Sequence, residues 1–164
     1  MSDSSNSLAQ QLGDVLMRRG WQVTCAESCT GGGVAEAITS VPGSSRWFEA
    51  GFVTYSNAVK QQLLGVSGDT LASHGAVSEA VVREMAQGAQ AFANADLAVA
   101  ISGVAGPDGG SEGKPIGTVW FAWQLGDASC ASEMCHFSGD RQSVRQQAVV
   151  HALNGILMIA NSSS

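Results

Sequence analysis

Charge is scarce in this 164-residue chain. Asp, Glu, Lys and Arg together make up 13% of it, about half the usual share. That excludes a disordered polar tail and a long charged coiled coil. Cations are scarcer still, with eight Lys plus Arg against fourteen Asp plus Glu and a net charge of −6. An acidic surface repels phosphate backbones, so nucleic acid is excluded as the main partner. An anionic substrate must instead meet a local concentration of donors. No apolar run approaches the roughly 20 residues of a membrane helix, so no membrane partner is expected. The opening Met1-Ser2-Asp3-Ser4-Ser5-Asn6 has neither the basic start nor the apolar middle of a signal peptide, and a cytoplasmic protein is expected. The four cysteines fall in two distant pairs, Cys25/Cys29 and Cys130/Cys135. Neither pair has the two-residue gap of common zinc or redox motifs. The expectation is reduced thiols and no metal.

Apolar residues are plentiful at 45%, which at this length suffices for one packed domain without staples. We expect that domain over residues 7–160, with short flexible tails at 1–6 and 161–164. Leu8, Leu12, Val15 and Leu16 follow helical spacing, and Arg18-Arg19-Gly20 supplies cations and a glycine stop. Trp21 to Ala26 reads as a buried strand and Val34 to Val41 as a helix. The aromatic and β-branched stretch Trp47 to Tyr55 reads as a strand. Ser56 caps a short helix, and Ser78 caps a longer one with Val81, Val82, Met85, Ala86, Ala89 and Phe92 on one apolar face. Leu97 to Ile101 is a continuous apolar strand, Thr118 to Gln124 and Cys130 to Phe137 form a hairpin, and Asp140 opens a last helix. Strands alternating with helices predict a three-layer α/β/α sandwich whose mixed sheet is mostly parallel. Ligands of such sheets bind beyond the carboxyl ends of the strands, where small-residue loops follow Ala26 and Ile101.

Ser28 stands at the first of these loops, just before the backbone N–H groups of a helix start, including those of Cys29, Thr30, Gly31 and Gly32. Such orphan donors suit an oxyanion or a phosphate. The turn resembles a nucleophile elbow, but Ala26 and Thr30 stand where the glycines would be. Ser28 is therefore either a nucleophile or, like Thr30, only a helix cap. A serine nucleophile needs a base. The histidines are His74 in a polar loop, His136 in the hairpin and His151 packing on the last helix. None stands beside an acidic partner in sequence. The chain has two lysines, Lys60 and Lys114. Lys60, five residues past Tyr55, is either a solvated surface group or a base. To serve near pH 7 it must drop about 3 units from its free value, roughly 4 kcal/mol of preference for the neutral amine. Arg141 and Arg145 lie one turn apart at the start of the last helix. There they either pair with neighbours such as Asp140 or hold an anion, which guanidinium forks fit well. The glycines of Ser102 to Gly110 match neither a P-loop nor a dinucleotide fingerprint, but permit close backbone approach. Glu27, Asp108 and Glu112 are too scattered to argue a metal site.

Five ordered motifs go further: Ala26-Glu27-Ser28-Cys29-Thr30-Gly31-Gly32, Gly51-Phe52-Val53-Thr54-Tyr55-Ser56-Asn57, His74-Gly75-Ala76-Val77-Ser78, Ser102 through Gly110, and Lys114-Pro115-Ile116-Gly117-Thr118-Val119. Together they resemble the CinA C-terminal domain family, most closely its stand-alone form, over about residues 7–158. The resemblance implies hydrolysis of the carboxamide of nicotinamide mononucleotide to nicotinate mononucleotide and ammonia, with no cofactor and no metal. It implies Ser28 as nucleophile, Lys60 as its base and Tyr55 as a catalytic neighbour. It also implies Ser102 and Arg141 at the substrate; from the loops and the last helix we expect Cys29, Thr30, Gly31, Gly32, Gly103 and Arg145 to bind substrate with them. The partners then expected are a small nucleotide and, through an exposed face of the hairpin at Trp120 or Trp123, a second copy of the chain. The alternative is a module that binds a nucleotide or a partner without turnover.

Overall fold

The architecture follows from how the two faces of one sheet are filled. A computed structural model describes residues 3–127 and 129–162. Helix α1 (Asp3–Arg19) leads to strand β1 (Val23–Glu27), helix α2 (Gly33–Thr39), a 3₁₀ turn (Ser44–Arg46) and the short strand β2 (Phe52–Val53). Helices α3 (Asn57–Leu64), α4 (Gly68–His74) and α5 (Glu79–Ala93) come next. Strands β3 (Leu97–Gly103), β4 (Thr118–Leu125) and β5 (Ser129–His136) and helix α6 (Arg141–Ser162) complete the chain. The five-stranded sheet has the order β2-β1-β3-β4-β5.

Successive side chains of a strand point to opposite faces, and this sheet sorts them by size. Val23, Cys25, Leu97, Val99, Ile101, Val119, Phe121 and Trp123 share a core with α1, α2 and α6. Ala26, Ala98, Ala100 and Ala122 face the other way, against α5 and the Leu64–Leu71 region. Bulky side chains on one face and alanines on the other let helices close over both, which accounts for the unbroken apolar run of β3. The caps expected at Ser56 and Ser78 are formed: their hydroxyls accept from the amides of Val59 and Val81 at 3.2 and 3.3 Å.

Several expectations change. The sheet is evenly mixed, not mostly parallel. β1 pairs in parallel with β2 and β3, whereas β3–β4 and β4–β5 are antiparallel. The hairpin lies directly beside β3 and so contributes two antiparallel pairings. The strand expected over Trp47 to Tyr55 shrinks to Phe52–Val53 and a lone bridge between Val23 and Phe48. Between them the Ala50 carbonyl accepts from the Thr24 hydroxyl at 2.7 Å, so a side chain replaces the ladder there. Phe92 leaves the apolar face of α5 and is 65% exposed, edge-on to Phe52. The loop expected before Gly75 contains α4. Of the two hairpin tryptophans, Trp123 is buried and Trp120 half-buried. Helix covers residues 3–6 and 161–162 of the expected tails, and the remainder lies outside the described residues. Among the described residues no helix is long and apolar enough to cross a membrane.

Candidate active site

The three parallel strands end along one rim of the sheet. In register, Ala26 lies opposite Phe52, and Glu27 opposite both Val53 and Ile101. The ladder continues one step further: the Ser28 amide donates to the Ile101 carbonyl at 3.0 Å, and the Thr54 amide to the Glu27 carbonyl at 2.8 Å. Ser28, Thr54 and Ser102 thereby reach the same edge from three different strands. This is where open α/β sheets place their ligands.

Glu27 organises the serine turn. Its carboxylate is fully buried and accepts from the Thr30 hydroxyl at 2.6 Å and from the amides of Val34 and Ala35 at 2.9 and 3.0 Å. These are the orphan donors of α2, so Glu27 performs the capping expected of Ser28 or Thr30, and its negative charge suits the helix N-terminus. Ser28 is thus freed from that task. The chain then turns through Gly31 and Gly32 at φ +58° and +102°, conformations costly for any residue with a Cβ.

α3 carries Lys60 to Ser28. The Lys60 side chain is buried, at 1% exposure. Its Nζ lies 3.0 Å from Ser28 Oγ, 2.8 Å from the Thr54 carbonyl and 3.1 Å from the Tyr55 carbonyl. Among the described residues no carboxylate forms an ion pair with it. Burial lowers its pKa from the ordinary lysine value, opposed by the charge of a Cys29 thiolate. A neutral amine has two N–H groups and one lone pair. Two carbonyls can take the two N–H groups, which leaves the lone pair aimed at the serine hydroxyl.

These groups border a cavity of about 200 Å³ whose walls include Ser28, Cys29, Lys60, Ser102, Gly103 and Arg141. Tyr55, Asn57, Ala76, Val77 and Ala105 complete it. The Tyr55 side chain is exposed, and its hydroxyl accepts from Arg141 Nη2 at 3.2 Å; its backbone carbonyl, not its phenol, meets Lys60. Arg141 Nη1 donates to the Gly106 carbonyl at 2.7 Å, which ties α6 to the second glycine-rich loop. Among the described residues no histidine lines the cavity. The Cys29 thiol beside Ser28 is pushed up to about 11, chiefly by burial, and so carries little thiolate near neutral pH.

Of the expected substrate set, Thr30, Gly31, Gly32 and Arg145 do not line this cavity. Arg145 Nε donates to the Cys29 carbonyl at 3.0 Å and its Nη2 to the Thr30 carbonyl at 3.3 Å. Arg145 lines a separate cavity of about 450 Å³ with Thr30, Gly31 and Gly32, whose walls do not include Ser28 or Lys60. Reasoning from the sequence passed over Glu27, Asn57, Ala76 and Val77 as site residues. The signal for Glu27 was there, an acid directly before the serine and six residues before a helix. The other three lie inside motifs already recognised.

The fold and site define an α/β protein with a buried serine–lysine pair at the carboxyl edge of its parallel strands. The model of the CinA C-terminal domain matches residues 5–159. A protein of Pseudomonas putida named nicotinamide-nucleotide amidohydrolase PncC is 59% identical over 158 residues, covering 96% of this chain and 98% of that protein. A protein of the same name from Escherichia coli K12 is 58% identical over 93% of each chain. The crystal structure of the competence damage-inducible protein A of Klebsiella pneumoniae superposes with a TM-score of 0.94 at 41% identity, over 98% of this chain and 99% of that one. This chain belongs to the CinA C-terminal domain family.

Proposed function

We propose that this chain deamidates nicotinamide mononucleotide to nicotinate mononucleotide and ammonia, with Ser28 as nucleophile and Lys60 as its base. Relatives bearing that activity in their name at 58–59% identity over nearly the whole chain support the substrate. The observation that carries the mechanism is the 3.0 Å approach of a buried, unpaired Lys60 amine to Ser28 Oγ.

Ser28 Oγ attacks the amide carbon as its proton passes to Lys60 Nζ. The carbonyl oxygen becomes an oxyanion. The Gly31 amide already donates to the Ser28 carbonyl at 3.1 Å and the Gly33 amide to the Thr30 carbonyl at 3.0 Å. Of the remaining amides in the turn, that of Cys29 belongs to a residue bordering the cavity, and it is the oxyanion donor this reading assigns, worth roughly 3–4 kcal/mol. The Lys60 ammonium protonates the leaving nitrogen, the C–N bond breaks and ammonia departs. Lys60 then takes a proton from water, whose oxygen attacks the acyl carbon, and returns it to Ser28 Oγ as the ester breaks. The two backbone carbonyls on Lys60 hold the amine in place through every step.

The cavity is smaller than the ~300–1,000 Å³ of pockets that enclose a whole ligand. It suits a pyridine ring with its amide, and leaves the ribose phosphate at the rim, where the exposed Arg141 offers a guanidinium. The test is ammonia release from nicotinamide mononucleotide. Ser28→Ala reduces it by at least about 10³-fold. A Ser28→Ala protein with near wild-type turnover overturns the reading.

A further inference from the structure

Outside the cavity, three side chains that nothing in the serine–lysine chemistry uses converge at the junction of the hairpin and α6. Glu133 and Cys135 lie two apart on β5 and so point to the same side of the strand. His151 projects from α6 to meet them. One ligand-type atom of each, Glu133 Oε1, Cys135 Sγ and His151 Nε2, lies within 4.8 Å of the other two. We propose that Glu133, Cys135 and His151 form a binding site for a zinc-class divalent cation that ties the edge strand β5 to α6 and keeps a fourth position open to solvent.

The spacing fits. Bonds of ~2.0–2.3 Å at tetrahedral angles set neighbouring donors roughly 3.3–3.8 Å apart. Cys135 Sγ lies 3.4 Å from His151 Nε2 and 3.8 Å from Glu133 Oε1. Glu133 and His151 are in direct hydrogen-bond contact and separate slightly to admit the ion. The exposed glutamate side chain is free to swing, and the histidine is not: its ring is walled by Phe121, Trp123 and Phe137 at centroid distances of 4.7, 5.7 and 6.1 Å. Both Glu133 and Cys135 approach the same ring nitrogen. That is the convergence of a ligand set. A catalytic triad would place the acid on one nitrogen and the nucleophile on the other.

Charge and softness fit as well. A thiolate, a carboxylate and a neutral imidazole around a dication sum to zero, which suits a half-buried location. Thiolate plus imidazole selects zinc, cobalt and their neighbours over magnesium and calcium, which require oxygen cages. The cysteine spacing alone pointed away from a metal. The third donor lies sixteen residues on, in a different element, and only the docking of α6 against the hairpin brings it in.

The experiment uses the tag-free, reduced, chelator-stripped chain, titrated with cobalt(II) and then zinc(II). One equivalent of cobalt binds with a near-ultraviolet thiolate–cobalt charge-transfer band, and zinc displaces it. Cys135→Ser abolishes the band, Glu133→Gln and His151→Ala weaken binding at least about 10-fold, and Cys130→Ser leaves it unchanged. Zinc at ~100-fold excess over its Kd raises the unfolding temperature of the wild type by roughly 5–10 °C, and that of Cys135→Ser not at all. Absence of a thiolate band at stoichiometric cobalt, or a band that survives Cys135→Ser, overturns the site. Cys135→Ser and Glu133→Gln both sit on an edge strand, so the test stands even if His151→Ala fails to fold.

Discussion

The two halves of the sheet treat their ionisable groups in opposite ways. At the carboxyl edge of the parallel half, Lys60 is buried, meets only carbonyls and a hydroxyl, and forms no ion pair among the described residues. At the antiparallel half, Glu133 is exposed, Cys135 and His151 are half-buried, and the three meet in direct contact. An amine kept in the protein without a counter-charge is held nearer its neutral form and can take a proton. An acid and a histidine in direct contact within reach of water satisfy each other, and gain a further task when a dication arrives. Under the proposed function, enclosure without a charged partner, not the mere presence of titratable groups, marks the reacting centre. The chain's other lysine makes the same contrast: Lys114 Nζ donates to the His74 carbonyl at 2.6 Å and so ties its loop to the end of α4.

The sharpest way to break this contrast is Lys60→Met. It should lower ammonia release by about 10²–10⁴-fold, the usual range for loss of a general base. It should also stabilise the fold by about 1–2 kcal/mol, because a buried amine held for chemistry costs stability. The sign with pH follows from linkage. The folded-state pKa of Lys60 is lowered, so between that value and the ordinary lysine value the unfolded chain binds more protons than the folded one. The destabilisation by Lys60 is therefore full below its folded pKa and fades as pH rises toward the ordinary lysine value. Thermal melts of both proteins across that window should show the gap closing at high pH. A Met variant less stable at every pH would place Lys60 among structural residues.

Next in size is Glu27→Gln. The amide keeps the shape but replaces one acceptor oxygen facing Thr30, Val34 and Ala35 with a donor, and removes the charge at the start of α2. A loss of about 2–3 kcal/mol is expected by denaturant unfolding, with kcat reduced because the serine turn shifts. Smaller effects should separate the two arginines. Arg141→Ala should raise KM about 10–100-fold with kcat nearly kept, as for a contact to a remote phosphate made equally in ground and transition states. Arg145→Ala should lower kcat about 10-fold with KM nearly kept, since its donors hold the Cys29 and Thr30 carbonyls in place. Steady-state kinetics on both variants decide it, and a KM effect at Arg145 would return that residue to the substrate site.

The strands that were legible in the sequence are those whose pattern is enforced along their whole length. β3 is an unbroken apolar run, and β4 alternates large and small because its faces meet different cores. The stretch before β2 misled because its aromatic residues are not strand residues: buried Trp47 caps the 3₁₀ turn and Phe48 forms a single bridge. Phe92 fits an apolar stripe yet faces outward; Val81, Val82, Met85, Ala86 and Ala89 already cover the alanines of the sheet. In the site, Ser28 and Lys60 were legible as types in suggestive places, but their 3.0 Å meeting depends on the strand order, which no local pattern encodes. Arg141 and Arg145 share one helical face and still line different cavities, because Arg141 is tied to Gly106 and Tyr55 and Arg145 to the carbonyls of Cys29 and Thr30.

The central claim is that the amine of Lys60 is neutral at working pH and faces Ser28. Nuclear magnetic resonance titration of the labelled Lys60 side chain, with Lys114 as internal reference, tests it most directly. The account predicts that Lys60 titrates well below Lys114 and that the limb of kcat/KM on the acidic side follows the same value. A Lys60 amine that stays protonated to the ordinary lysine range, with activity undiminished below it, would contradict the account.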